Sequence, residues 1–224
     1  MERVLEPELM DDWEQAHAYH KADFERSHGQ RVELVRSFFP SLRLTGTVLD
    51  LGCGSGDVLF RFARAYPKAS FLGVDGSQPM IDLARKEIET HPELNSHVDF
   101  LVTTLPSDAI PQQPYDLVMS HSLLHHLHNP VVLWDCIESL AVLGTKICVV
   151  DLKRPESAET ARAIVDALAI GEPEILRRDF FNSLCAAFTA AEVEEQLQGT
   201  GISGLSVREV GDMYLAIYGE RAIE

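Results

Sequence analysis

Val48-Leu49-Asp50-Leu51-Gly52-Cys53-Gly54-Ser55-Gly56 is the stretch that decides the fold of this chain. Its apolar half reads as a buried strand that the glycines break into a turn. Val58, Leu59, Phe62 and Ala65 then recur at helical spacing. A second apolar run, Ser70-Phe71-Leu72-Gly73-Val74, ends on Asp75. Strand, glycine loop, helix and strand closing on a carboxylate form a βαβ unit suited to an adenosine-containing ligand. The glycines let backbone approach the ligand, and the carboxylate accepts hydrogen bonds from ribose hydroxyls.

The spacing separates two such ligands. A dinucleotide fingerprint, G-x-G-x-x-G/A, places its third small residue where this chain has Asp57. A carboxylate there is expected to crowd the helix–strand contact and to repel a pyrophosphate at the helix N-terminus. Here the glycines run G-x-G-x-G, with Asp50 two residues before the first. S-adenosylmethionine has no phosphate, and its α-ammonium group needs an acceptor that Asp50 can supply, directly or through water. An NAD-dependent oxidoreductase is therefore disfavoured.

The pattern resembles the first two motifs of the class I S-adenosylmethionine-dependent methyltransferases of small-molecule type. Val74-Asp75-Gly76-Ser77-Gln78-Pro79-Met80 is similar to the family's "VDxSxxM" segment, and Tyr115–Leu127 is similar to its "FDLVxSxxxLHHL" fourth strand and turn. The resemblance covers nearly the whole chain. It implies a Rossmann-like seven-stranded sheet, mostly parallel with an antiparallel last strand and helices on both faces. It also implies S-adenosyl-L-methionine as cofactor, held by Asp50, Gly52, Cys53, Gly54, Gly56, Asp75, Gly76 and Ser120, with Met80 packed against adenine. The usual acid after the third strand is absent. Thr103 and Thr104 stand there, and a threonine hydroxyl can bond the adenine amino group.

Outward from the glycine loop, strands are expected near 46–51, 70–75, 97–102, 115–120 and 145–151, with helices near 56–66, 77–90 and 129–142. This alternation predicts an α/β fold with a parallel sheet and right-handed crossovers. One domain is expected: an N-terminal helical segment (1–40), a cofactor-binding core (45–152), an inserted helical region (155–188) and a closing portion (189–224). The closing portion starts with the capping box Thr189-Ala190-Ala191-Glu192 and continues with strands over Gly204–Gly211 and Met213–Gly219. Two readings stand for residues 1–40, with Trp13, Ala16, Tyr19 and Phe24 at helical spacing. They are a lid over the cofactor, as in relatives, with Tyr19 touching it, or an amphipathic helix on the sheet's edge. The inserted helices exceed a minimal core, and in the family such helices form the acceptor wall.

Bulk properties exclude several roles. A formal net charge of −16 over 224 residues argues against an electrostatic grip on nucleic acid and against an anionic membrane surface. No apolar run approaches the roughly 18 residues needed to span a bilayer. The N-terminus shows no secretory signal, so the expected location is cytoplasmic. Cys53, Cys136, Cys148 and Cys185 form no C-x-x-C pair, so neither a metal centre nor a disulfide framework is expected. Oligomeric state leaves no signal in this sequence.

Methyl transfer from a sulfonium is an in-line displacement, so holding the reactants and excluding water is the main task. A base is needed only for an acceptor that arrives protonated. Open α/β sheets bind ligands beyond the carboxyl ends of their strands, which brings forward His121 after the fourth strand as the candidate catalytic and acceptor-binding residue. His125 and His126, one turn later, read as capping or packing residues. Arg154, after the fifth strand, is a candidate grip for a carboxylate, against a reading as a surface ion pair. Phe181 in the inserted region is a candidate pocket residue, against a core role. The expected function is methyl transfer to a small molecule. The alternatives are a protein or nucleic-acid methyltransferase, or a non-catalytic cofactor-binding protein.

Overall fold

The computed structural model describes residues 1–222, the side chain of Arg26 excepted. Helices α1 (Trp13–Lys21), α2 (Glu25–His28) and α3 (Arg31–Phe38) precede the sheet. Then β1 (Thr47–Leu51), α4 (Asp57–Ala65), β2 (Ser70–Asp75), α5 (Gln78–Ile88), β3 (Val98–Val102), β4 (Leu117–His121), α6 (Val131–Leu140) and β5 (Lys146–Leu152) alternate. The chain closes with α7 (Ala158–Leu168), α8 (Glu174–Ala186), α9 (Ala190–Gln198), β6 (Leu205–Val210) and β7 (Tyr214–Glu220).

The seven strands form one sheet in the order β3-β2-β1-β4-β5-β7-β6, and β7 runs antiparallel to both neighbours. This is the expected Rossmann-like sheet. The period of two in the central strands explains why it is covered on both sides. Val48, Leu117, Met119, Cys148 and Val150 face a core shared with α3, α4 and α5. Leu49, Leu51, Val118, Ile147 and Val149 face the opposite core, with Leu133, Trp134 and Ile137 of α6 and Val193 of α9. Trp134 is fully buried, and its indole N–H donates to Gln196 Oε1 of α9 at 2.9 Å.

Local signals explain the helix starts. Ser77 accepts from the Met80 N–H at the head of α5, and the Thr189/Glu192 capping box is fully formed at the head of α9. The inserted region is a helical hairpin, α7 against α8, broken at Gly171 where φ is +83°. Its own small core joins Leu152, Ala161, Val165 and Leu184 beyond the carboxyl end of β5. Among the described residues, no helix is long and apolar enough to cross a membrane.

Gly73, in the middle of β2, shows how closely the α4 layer sits on the sheet. A Cβ there would meet Cys53 Sγ at 2.8 Å, Leu59 Cδ2 at 2.9 Å and Phe100 Cδ1 at 3.0 Å. Gly73→Ala is therefore expected to destabilise the fold by about 1–3 kcal/mol through overpacking. Urea unfolding followed by circular dichroism should show a lower midpoint, and an unchanged midpoint would mean that this contact yields freely.

The N-terminal segment divides into two parts. Residues 3–28 cross the carboxyl ends of the strands, whereas α3 packs on the sheet face through Val32 and Val35, with Phe38 stacked on Tyr218. The crossing portion is tied at several points. Arg3 donates to the carbonyls of Ala186, His125 and Leu127 and lies over the Phe188 ring at 3.9 Å. Glu8 accepts from the His128 N–H at 2.8 Å, and the Met10 carbonyl accepts from Ser77 Oγ at 2.7 Å.

Candidate active site

The strand order reverses between β1 and β4, and a cavity of about 990 Å³ opens beyond their carboxyl ends. Its floor is the glycine loop. Gly52 has φ +74°, and a Cβ there would meet the Leu123 side chain at 2.8 Å. Gly56 caps α4 in the left-handed region, φ +87°, which favours glycine. The loop is tied to β2, because the N–H groups of Gly52 and Cys53 both donate to the Val74 carbonyl, at 2.7 and 3.0 Å.

Two carboxylates stand at the ends of β1 and β2. Asp75 accepts from the Gly54 N–H through Oδ2 and from the Ser77 N–H through Oδ1, both at 2.8 Å, so one side chain fixes two loops. Burial pushes its pKa up, against the pull of those two donors. Asp50 is 1% exposed and its Oδ1 has no hydrogen-bond partner. Burial, and then the charge of Asp75, raise its pKa well above the usual carboxylate range. A buried carboxylate left this way is costly unless a cation or donor reaches it.

Asp57 does not crowd the strand as the spacing argument expected. It points to the N-terminal segment, accepting from His28 Nδ1 at 2.8 Å and pairing with Arg61 at 3.1 Å. Burial alone would raise its pKa, but His28 and Arg61 outweigh burial and hold it below the usual range.

Tyr19, Asp50, Gly52, Cys53, Gly54, Asp75, Gly76, Met80, Thr103 and Thr104 all line the cavity, and so does His121. Four expected residues do not. Gly56 shapes the loop from beneath. Ser120 is fully buried, with its hydroxyl donating to the Leu51 carbonyl at 2.7 Å, so it ties β4 to β1 instead of touching a ligand. Arg154 is not a free anion grip. Its guanidinium pairs with Glu192 at 2.7 Å and donates to the Ala187 carbonyl. Phe181 packs in the α7–α8 core under Arg162, and its neighbour Phe180 takes the place on the cavity wall.

His121 is 8% exposed, and neither ring nitrogen has a partner. Burial first, then the nearby Arg31 and His28, push its pKa well below the usual value. The next residue, Ser122, has φ +56°, a conformation that a non-glycine residue seldom holds. Beyond the capping or packing role expected for His125, the structure shows a specific network around it. Its Nδ1 bonds Asp151 at 2.5 Å, and its Nε2 faces Glu6 Oε1 at 3.6 Å. Burial alone would lower the His125 pKa, but Asp151 and Glu6 overcome it and raise it. Burial lifts Glu6 to about 7 and drops His126 to about 3. Among the described residues, Glu6, His125 and His126 are a set with metal-ligand donor types, lying within 4.8 Å of one another. No local pattern pointed to it, because the glutamate lies far along the chain from the histidine pair.

Sequence reasoning also missed Phe24, His28 and the strap residues Glu8, Leu9 and Met10, all on the cavity wall. The apolar spacing around Tyr19 was the only signal that this segment faces the site.

Residues 48–144 match the family model described as "Methyltransferase domain". An uncharacterized methyltransferase of Schizosaccharomyces pombe is 28% identical over 111 residues, 48% of this chain and 40% of that protein. A malonyl-[acyl-carrier protein] O-methyltransferase of Halalkalibacterium halodurans is 27% identical over 86 residues, 37% of this chain and 30% of that protein. The matched region thus spans less than half the length of either curated relative. A S-adenosylmethionine-dependent methyltransferase from Aquifex aeolicus superposes with a TM-score of 0.70 at 18% identity, covering 94% of this chain and 99% of that one, a likeness of fold. With the matched segment, the strand order and the glycine loop in agreement, residues 48–144 carry a methyltransferase domain, and the chain has the fold of the class I S-adenosylmethionine-dependent methyltransferases.

Proposed function

We propose that this protein transfers a methyl group from S-adenosylmethionine to a small-molecule acceptor inside the cavity. The observation that carries the reading is Asp50, a carboxylate 1% exposed with an unpartnered oxygen, at the end of β1 beside the glycine loop. An α-ammonium group satisfies it, whereas a pyrophosphate does not. The placement of the lining residues supports the remaining roles of this reading. Asp75 holds the ribose hydroxyls, Met80 packs on adenine, Thr103 and Thr104 meet its amino edge, and Tyr19 covers it from α1.

When bound, S-adenosylmethionine supplies an electrophilic methyl group on a sulfonium. The chain's own work is positional. Residues of the strap, α1–α2, α7 and α8 all line the cavity, and with ligands bound they would exclude water from the reacting centre. His121, held neutral by burial and by Arg31, lines the cavity with both ring nitrogens buried and unpartnered, so a hydrogen bond to the acceptor requires the imidazole to turn toward it. A concave cavity lined by many elements supports a metabolite over a folded macromolecule, and the net charge of −16 weighs against nucleic acid.

Isothermal calorimetry tests the reading. S-adenosylmethionine and S-adenosylhomocysteine are both expected to bind, with NAD at least about tenfold weaker. Tighter binding of NAD, or no binding of S-adenosylhomocysteine, would refute it.

A further inference from the structure

We infer that the acceptor half of the cavity takes an apolar molecule bearing a basic amine and turns away one whose polar end is a carboxylate or phosphate. The inference rests on the methyl-transfer reading above. Leu152, Ile164, Leu168, Leu176 and Phe180 make the wall of this half apolar, enough to cover a hydrocarbon or ring system. The charged residues that line it are acidic: Glu172 ahead of α8, Asp179 within α8, and Asp212 at the β6–β7 turn.

The basic side chains of the same region are engaged elsewhere. Arg154 pairs with Glu192, Arg162 lies over Phe181, Arg177 bonds Asp166 and the Ala169 carbonyl, and Lys153 pairs with Glu209. Among the described residues, no Lys or Arg lines the cavity. Asp179 is only 12% exposed, and accepts from Gln15 Nε2 at 2.8 Å and from Arg178, itself 61% exposed, at 3.1 Å. Each carboxylate oxygen carries two lone pairs, so Asp179 retains acceptor capacity toward the cavity.

An anionic acceptor entering here would lose water and meet further carboxylates, while Arg31, the fixed cation near His121, is buried over the Tyr214 ring and does not line the cavity, a heavily penalised arrangement. Repulsion of this kind sets specificity as effectively as attraction does. An ammonium instead finds Asp179 and Glu172 while its apolar body covers the α7–α8 wall. A carboxyl acceptor, of the kind the name of the Halalkalibacterium relative implies for that protein, does not suit this lining.

The test uses two ligands with one ring system and opposite charge, naphthylmethylamine and naphthylacetate, titrated near neutral pH into protein saturated with S-adenosylhomocysteine. The amine is expected to bind at least about tenfold tighter, and Asp179→Asn should remove most of that preference with S-adenosylhomocysteine affinity unchanged. Equal or tighter binding of the acid, or no binding of either at millimolar concentration, overturns the inference. A preference that survives Asp179→Asn overturns Asp179 as its source. S-adenosylhomocysteine binding is measured first on the same sample, and its loss would count against the methyl-transfer reading. The ligand pair is then compared on the free protein.

Discussion

Asp75→Ala is expected to weaken S-adenosylhomocysteine binding by about a hundredfold, or about 2.7 kcal/mol. Two losses combine. In the proposed binding mode the ribose hydroxyls would lose charge-assisted hydrogen bonds, worth roughly 1.5–3 kcal/mol each. The loops also lose the clamp that holds the Gly54 and Ser77 N–H groups at 2.8 Å on opposite oxygens of one carboxylate. Asp75→Asn separates the two. It keeps the shape, but its amide NH₂ must face one of those backbone donors, so affinity should fall part of the way. Calorimetry on the three proteins reads the series, and a dissociation constant unchanged in Asp75→Ala would remove Asp75 from the ribose site.

The largest effect on stability is expected at Asp151. This carboxylate is 2% exposed and accepts from the Leu124 N–H at 2.7 Å, the Leu152 N–H at 2.6 Å and His125 Nδ1. Asp151→Ala strands two backbone donors and an imidazole whose charged form it supports, a loss of about 3–5 kcal/mol. The pH dependence carries a definite sign. Asp151 helps raise the His125 pKa in the folded state, so this part of the stability is fully present below the unfolded histidine value of about 6.5. It fades as pH rises through the folded value. Denaturant unfolding of wild type and variant at several pH values should therefore show the gap narrowing from acidic to alkaline solution. A gap independent of pH would leave the backbone contacts as the whole of the effect.

The sheet was legible because its strands are short apolar runs bounded by glycines and acids, and its crossovers are helices with clear caps at Ser77 and Thr189. Burial on both faces leaves little ambiguity in such a pattern. The glycine loop was legible for the same local reason, since its positive φ angles demand glycine. What escaped the sequence is what depends on distant pairing. Arg154 has the chemistry of an anion grip, yet Glu192 on another helix takes it. Ser120 follows the motif into the site, but its hydroxyl is spent on the Leu51 carbonyl of the next strand. Phe180 and Phe181 are indistinguishable as text, and only the phase of α8 decides which one faces the cavity. Glu6 carried no pattern at all, and its meaning arises from His125 and Ser183.

The strap over the site has a consequence for how the protein forms. Arg3 reaches the Ala186 carbonyl across 183 residues and Glu6 meets Ser183 across 177. Closing loops of that length costs chain entropy before any contact repays it, which makes such pairings late. This segment, far ahead of α8 in the chain, must therefore wait for that helix before it can dock. The sheet, built largely from neighbouring strands, assembles ahead of it. Secondary structure thus returns in refolding before ligand affinity does, and the interval between the two signals measures the docking of the roof.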